Sequence, residues 1–281
     1  TSDPDEVYNL AAGSFVATSF EEAVGNAEIT GQAVTKFLEA IRHQNSSIKF
    51  YQASSSEMYG NNNFKSQNEK TPFSPSSPYA AAKLYAHSIT NIYRKSYGIF
   101  ACTGILFNHE SPLRGLEFVS RKITNSVAAI SLGLRNELIL GNLNAKRDWG
   151  FAEEYMEAIY RMMHKSKPDD FVISTGVAHS VNDFVKEAFD LVGLNWKKYV
   201  KTDKKFLRPF EVNFLKGDYK KAAKQLGWKP KITFKKLVKL MLDEDIRRWN
   251  DFLNGKAFAW DAPLYPSENK LITRGSKNKI R

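Results

Sequence analysis

Short apolar runs alternate along this chain with longer stretches in which apolar residues recur every three or four positions. The runs 6–11 (EVYNLA), 48–53 (IKFYQA), 99–106 (IFACTGIL), 137–140 (ELIL) and 171–174 (FVIS) predict strands. Helical patterns fall between them, near 26–43, 78–97, 117–132, 151–165 and 180–192. Such βαβα alternation predicts an α/β fold with a parallel sheet flanked by helices. From about residue 193 the pattern is mixed: a loop-like FLRPFEV, a short helix near 218–226, and GWKP ahead of a helix near 233–253. From residue 255 the chain is polar and basic and reads as a poorly ordered tail.

In open α/β sheets, ligands sit beyond the carboxyl ends of the strands. Three predicted strands end in polar chemistry there. EVYNLAA runs into Gly13 and Ser14, IKFYQA into Ser54, Ser55, Ser56 and Glu57, and IFACTGIL into Phe107, Asn108, His109 and Glu110. Between the last two lies SPSSPYAAAK, residues 74–83. Tyr79 and Lys83, four residues apart, share one helical face. Pro78 suits the first helical position, with Ser76 or Ser77 as the cap. A free tyrosine, with a pKa of about 10, is a poor base at neutral pH. A neighbouring ammonium favours the phenolate and so makes it a better one. The spacing alone occurs by chance in many helices; a hydroxyl and a carboxylate at the same sheet edge give it weight. Taken singly, Glu57 reads as a solvated carboxylate, Arg147 as the surface partner of Asp148, and His109 as a loop histidine. Cys102 and Met58 read as core residues.

Composition narrows the classes. The 281 residues are 42% hydrophobic and 25% charged, which suits one large α/β domain or two smaller ones. No apolar run is long enough to span a membrane, and no secretory signal opens the chain. The single Cys102 excludes an internal disulfide framework and a cysteine-based zinc site within this chain, and it suits a reducing compartment. The formal charge of +11 comes from dispersed lysines and the basic tail NKLITRGSKNKIR. No dense basic run with interleaved aromatics appears, so a nucleic-acid partner is not expected; a basic surface suits an anionic nucleotide.

The stretches YQASSSEMYG, SPYAAAKLYA, GILFNHESP, RDWGFAEEY and LGWKP together resemble the GDP-mannose 4,6-dehydratases, extended members of the short-chain dehydrogenase/reductase group. The likeness runs from about residue 4 to 247. It implies a partial Rossmann-like, doubly wound parallel sheet with a smaller, mixed α/β substrate-binding part. Residues 1–135 would form the C-terminal portion of an NADP-binding domain, and 136–254 mainly the nucleotide-sugar part, interleaved with the first.

The resemblance also implies an activity: a lyase that uses NADP to convert GDP-mannose to GDP-4-keto-6-deoxymannose, the precursor of GDP-fucose. Tyr79 would take the C4 hydroxyl proton, with Lys83 lowering its pKa and binding the nicotinamide ribose. Glu57 would remove the C5 proton, and Ser55 would hydrogen-bond near C4 or C6. Leu10, Ala11, Ala12, Ser14, His109 and Arg114 match cofactor contacts, together with Tyr79 and Lys83. Asn108, Lys122, Arg147, Arg208 and Glu211 match positions that hold the GDP part. No metal is implied. A homo-oligomer and a cytoplasmic location are expected.

The sequence departs from the family pattern in places. None of the 16 glycines forms a GxG or GxxG pair, so the glycine-rich turn that receives the cofactor pyrophosphate is not found. The family's first strands precede the matching region and are missing from it. Gly13 stands for a glutamine, Phe15 for a histidine, Gly25 for a tyrosine, Leu113 for an arginine, Thr103 for an asparagine and Leu207 for an aromatic residue. These departures keep a second expectation open: a non-catalytic, dehydratase-derived scaffold subunit bound to other proteins in a larger assembly, in an organelle after N-terminal processing.

Overall fold

The computed structural model describes residues 4–62, 64–207 and 209–256. In order these form β1 (Glu6–Asn9), α1 (Ala23–Asn26), a π-helical stretch (Ala27–Gln32), α2 (Ala33–Gln44), β2 (Lys49–Ser55), α3 (Pro78–Tyr97), β3 (Ala101–Leu106) and β4 (Asn108–Glu110). There follow α4 (Val119–Ser131), β5 (Leu138–Leu140), β6 (Lys146–Arg147), β7 (Trp149–Phe151), α5 (Ala152–Met163), β8 (Asp170–Ile173), β9 (His179–Ser180), α6 (Val181–Asp190), β10 (Val200–Thr202), α7 (Lys220–Leu226) and α8 (Phe234–Leu253). The described residues divide into two compact units, one drawn from 4–109, 146–178 and 209–231, the other from 110–145, 179–207 and 232–256.

The first unit is built on a four-stranded parallel sheet of order β1-β2-β3-β8. Successive strand residues face opposite sides, so the near-continuous apolar runs supply two cores. Phe50 and Ala101 pack with Val34, Leu38 and Ile41 of α2 and with Ala86 and Tyr93 of α3. Tyr51 and Cys102 face the other way, against Ala158, Ile159 and Met162 of α5 and Ala222 of α7. Helices on both faces are what buried parallel strands require.

In the second unit, Arg121 of α4 donates through Nε to Asp245 of α8 at 2.7 Å, and the Thr124 hydroxyl donates to the other carboxylate oxygen at 2.6 Å. All three residues are buried. The predicted ELIL strand lies here and not in the main sheet. It is three residues long and pairs in parallel with β10, Val200 opposite Leu138, while β8 occupies the place beside β3.

Candidate active site

The Ser77 hydroxyl accepts the Ala80 N–H at 3.1 Å, and Pro78 takes the first helical turn of α3, so Ser77 is the cap. That start sets the phase of α3 and turns Tyr79 and Lys83 inward; both are buried. Lys83 Nζ donates to the Ala53 carbonyl of β2 at 2.8 Å and lies 5.8 Å from the centre of the Tyr79 ring. Burial lowers Lys83 from its ordinary 10.5 to about 8.

Beyond β2 the chain enters a single 3-10 turn, Ser56–Tyr59, capped by Ser55, whose hydroxyl accepts the Glu57 N–H at 3.2 Å. Gly60 closes this turn at φ +59° and ψ −152°, a region that only glycine enters at low cost. A Cβ there would stand 1.8 Å from the Ser74 carbonyl oxygen. The tight pass joins the Glu57 turn to the segment leading into α3, through Ser74 N–H to Met58 C=O at 2.9 Å.

Glu57 is buried rather than solvated. Its Oε1 lies 3.8 Å from Arg147 Nε, and another nitrogen of the same guanidinium lies 3.6 Å from Glu211 Oε1. Arg147 therefore stands between two carboxylates and is not the surface partner of Asp148. Asp148 is fully buried and accepts instead from Thr175 N and Oγ1, Gly176 N and Gly217 N, at 2.6–3.2 Å.

After β3, Asn108 is half-buried; the neighbouring His109 places Nδ1 2.9 Å from the Phe107 carbonyl oxygen and stacks on Tyr155 at 5.2 Å between ring centres. At the end of β1, Leu10, Ala11 and Ser14 are exposed and Ala12 is half-buried. Met58 and Cys102 are core residues, and burial pushes the Cys102 thiol up to about 11. Arg208 lies outside the described residues.

Arg114 and Lys122 belong to the second unit. The Arg114 guanidinium lies 3.5 Å from the Phe118 ring centre, and its Nε is 3.2 Å from Glu110. Lys122 sits 3.9 Å over the Phe206 ring; burial and the charges of Arg135 and Lys205 lower it to about 8. Sequence reasoning missed Arg135, a half-buried cation that donates to the Ser126 hydroxyl at 2.6 Å. It also missed Gln52, which lies wholly buried beside Lys83. Its one signal was a polar residue inside the apolar run IKFYQA. Among the described residues, no cluster of histidine, cysteine and carboxylates could hold a metal ion, and no helix is long and apolar enough to cross a membrane.

Comparison with known proteins decides the lineage. A family model described as GDP-mannose 4,6 dehydratase matches residues 1–241. The chain belongs to the GDP-mannose 4,6-dehydratase family. It is 53% identical over 247 residues to GDP-mannose 4,6 dehydratase 1 of Arabidopsis thaliana, covering 86% of this chain and 68% of that protein. It is 46% identical over 262 residues to the Homo sapiens GDP-mannose 4,6 dehydratase, covering 86% and 70%. The chain thus spans about two thirds of the length of these relatives. Among solved structures it resembles RMD from Pseudomonas aeruginosa complexed with NADPH, with a TM-score of 0.79, 23% identity and coverage of 87% and 82%. It also resembles dTDP-glucose 4,6-dehydratase from Bacillus anthracis in complex with NAD, with a TM-score of 0.76, 21% identity and coverage of 89% and 74%. Both likenesses concern the fold, which is of the Rossmann type.

The positions expected to depart from the family pattern have definite local surroundings. At Gly13, the Asn26 amide donates to the backbone carbonyl at 2.8 Å and the Gly13 N–H donates to Thr30 Oγ1 at 3.1 Å. A Cβ on Gly13 would lie 2.6 Å from Asn26 Nδ2, so the space is already used. Leu113 and Leu207 are exposed, and Gly25 faces open space. Thr103 is buried beside His87 Nδ1 at 3.0 Å and donates to Asp170 at 2.5 Å.

Proposed function

We propose that this chain carries the chemistry of an NADP-dependent GDP-mannose 4,6-dehydratase, converting GDP-mannose to GDP-4-keto-6-deoxymannose. The observation that carries the reading is the buried Tyr79–Lys83 pair on α3, held against the same strand whose end presents Ser55 and Glu57. An acid–base pair and a separate carboxylate are what oxidation at C4 followed by elimination across C5 and C6 requires.

The residues present fit the nicotinamide-ribose half of a dinucleotide. An ammonium has three donors, of which Ala53 takes one, leaving two for ribose hydroxyls. Exposed Leu10, Ala11 and Ser14, with Ala12, would border that group, and His109 and Arg114 would add contacts. When bound, the cofactor supplies a hydride acceptor at C4 and returns the hydride at C6. Tyr79 takes the C4 hydroxyl proton, and the Lys83 ammonium stabilises the phenolate before and after. A ketone at C4 makes the C5 hydrogen acidic. Glu57 removes that proton and hands it to the departing C6 hydroxyl, which leaves as water. The Ser55 hydroxyl, fixed as the cap of the Glu57 turn, hydrogen-bonds near C4 or C6.

Arg147, Asn108, Glu211, Arg208 and Lys122 are assigned to the GDP part. Arg147 already faces two carboxylates, whereas both charges acting on Lys122 are cationic. Lys122, with Arg135 beside it, is therefore the better-suited receptor for a diphosphate, and Arg147 orients Glu57. The test is Glu57→Gln in the full chain. The variant should bind GDP-mannose within about twofold of wild type yet form no dehydrated sugar, because only the base is lost. Turnover at the wild-type rate would remove Glu57 from the mechanism.

A further inference from the structure

A wholly buried glutamine in the middle of a parallel sheet is costly unless every polar atom is used. At Gln52 the register pairs it with Asn9 across β1 and β2, and both side chains are buried. The hydrogen-bond pattern admits one assignment of the two amides. The Ala11 N–H meets Asn9 Oδ1 at 3.2 Å, which turns Asn9 Nδ2 towards Gln52 Oε1 at 2.7 Å. Gln52 Nε2 is then left to donate to the Ala53 carbonyl at 3.0 Å. That carbonyl is the one on which Lys83 Nζ rests at 2.8 Å. A carbonyl oxygen has two lone pairs, so Gln52 and Lys83 fill it together. β1 ends opposite Gln52, so no β1 residue stands opposite Ala53 in the register.

We propose that Gln52 is a positioning residue for the Tyr79–Lys83 pair: it fixes the Ala53 carbonyl that holds the Lys83 ammonium, and through Asn9 ties that amine to the Leu10–Ala12 stretch. The catalytic part of this inference rests on the reading of Tyr79 and Lys83 given above; the structural part does not. A hydrogen bond to the charged form favours it. Freeing the carbonyl should therefore cost Lys83 its acceptor and lower the pH at which its ammonium loses a proton. The misplaced amine should slow proton transfer without weakening the hold on the sugar nucleotide.

The test uses the full chain labelled with 15N-lysine, with the Lys83 signal assigned by its loss in Lys83→Arg. Its titration is followed by NMR in wild type and in Gln52→Met, which keeps the side-chain length and removes the amide. The midpoint should fall by about half a pH unit or more. In parallel, kcat for dehydration should fall about tenfold or more, with KM for GDP-mannose within about twofold. Should Gln52→Met fail to fold, the pair Asn9→Leu with Gln52→Leu removes both partners and is read the same way. An unmoved midpoint would make Gln52 only structural, and a rising midpoint would make it a competitor for the carbonyl; either overturns the proposal. If wild type does not turn over GDP-mannose, the functional reading fails, while the NMR titration still decides whether Gln52 holds Lys83.

Discussion

Lys83 is a nearly inaccessible cation whose acceptor among the described residues is a main-chain carbonyl, and its energetics follow from that. Its folded pKa of about 8 lies below the ordinary 10.5. Between those values the unfolded chain binds more protons than the folded one, so this group makes stability rise with pH across that window. The gap between the two values corresponds to about 3 kcal/mol. Lys122 acts with the same sign, so wild type should be compared with Lys83→Met by denaturant unfolding from pH 7 to 10. The variant should lose about half of the rise that the two lysines give together; an equal rise in both chains would show that Lys83 is not held as a buried ammonium. At this scale the sequence was a good guide to spacing and a poor one to surroundings. The four-residue spacing put Tyr79 and Lys83 on one face. Nothing in it showed that Ala53 is the lysine's acceptor, because that contact joins residues 30 positions apart. Glu57 and Arg147 each read as surface charges when taken alone, and their burial arises from tertiary packing.

Elements place these residues through their ends. Ser77 and Pro78 open α3, and Gly98 closes it at φ +69°. Gly60 turns the chain between the Glu57 turn and the segment before α3. Ser77→Ala should cost about 1 kcal/mol through loss of the cap. Gly60→Ala should cost more than about 2 kcal/mol, because it combines a glycine-only backbone with a Cβ set against the Ser74 carbonyl. Denaturation midpoints check both, and equal small losses would show that the pass at Gly60 is not tight. Helix starts and the main strands were legible, since caps, prolines and apolar periodicity are local signals. Membership of a sheet was not. ELIL has a strand's composition but pairs with β10, because β8 takes the place beside β3. The polar strip between β2, β3 and α3 was also hidden. There His87 Nδ1 lies near Ser54 and Thr103, and Arg94 donates twice to Asp170.

In the first unit, a parallel sheet with helices on both faces carries Ser55, Glu57, Tyr79 and Lys83. The whole chain's charge of +11 suits an anionic sugar nucleotide without specifying one. Family membership supplies the reaction to be tested, and the geometry supplies the residues. The most direct measurement is a mass-spectrometric assay of the full chain with GDP-mannose and NADP. A nucleotide sugar lighter by one water, formed by wild type and not by Glu57→Gln, is the predicted result. No dehydrated product from folded wild type supplied with NADP would contradict the account, and the buried pair on α3 would then be inherited architecture.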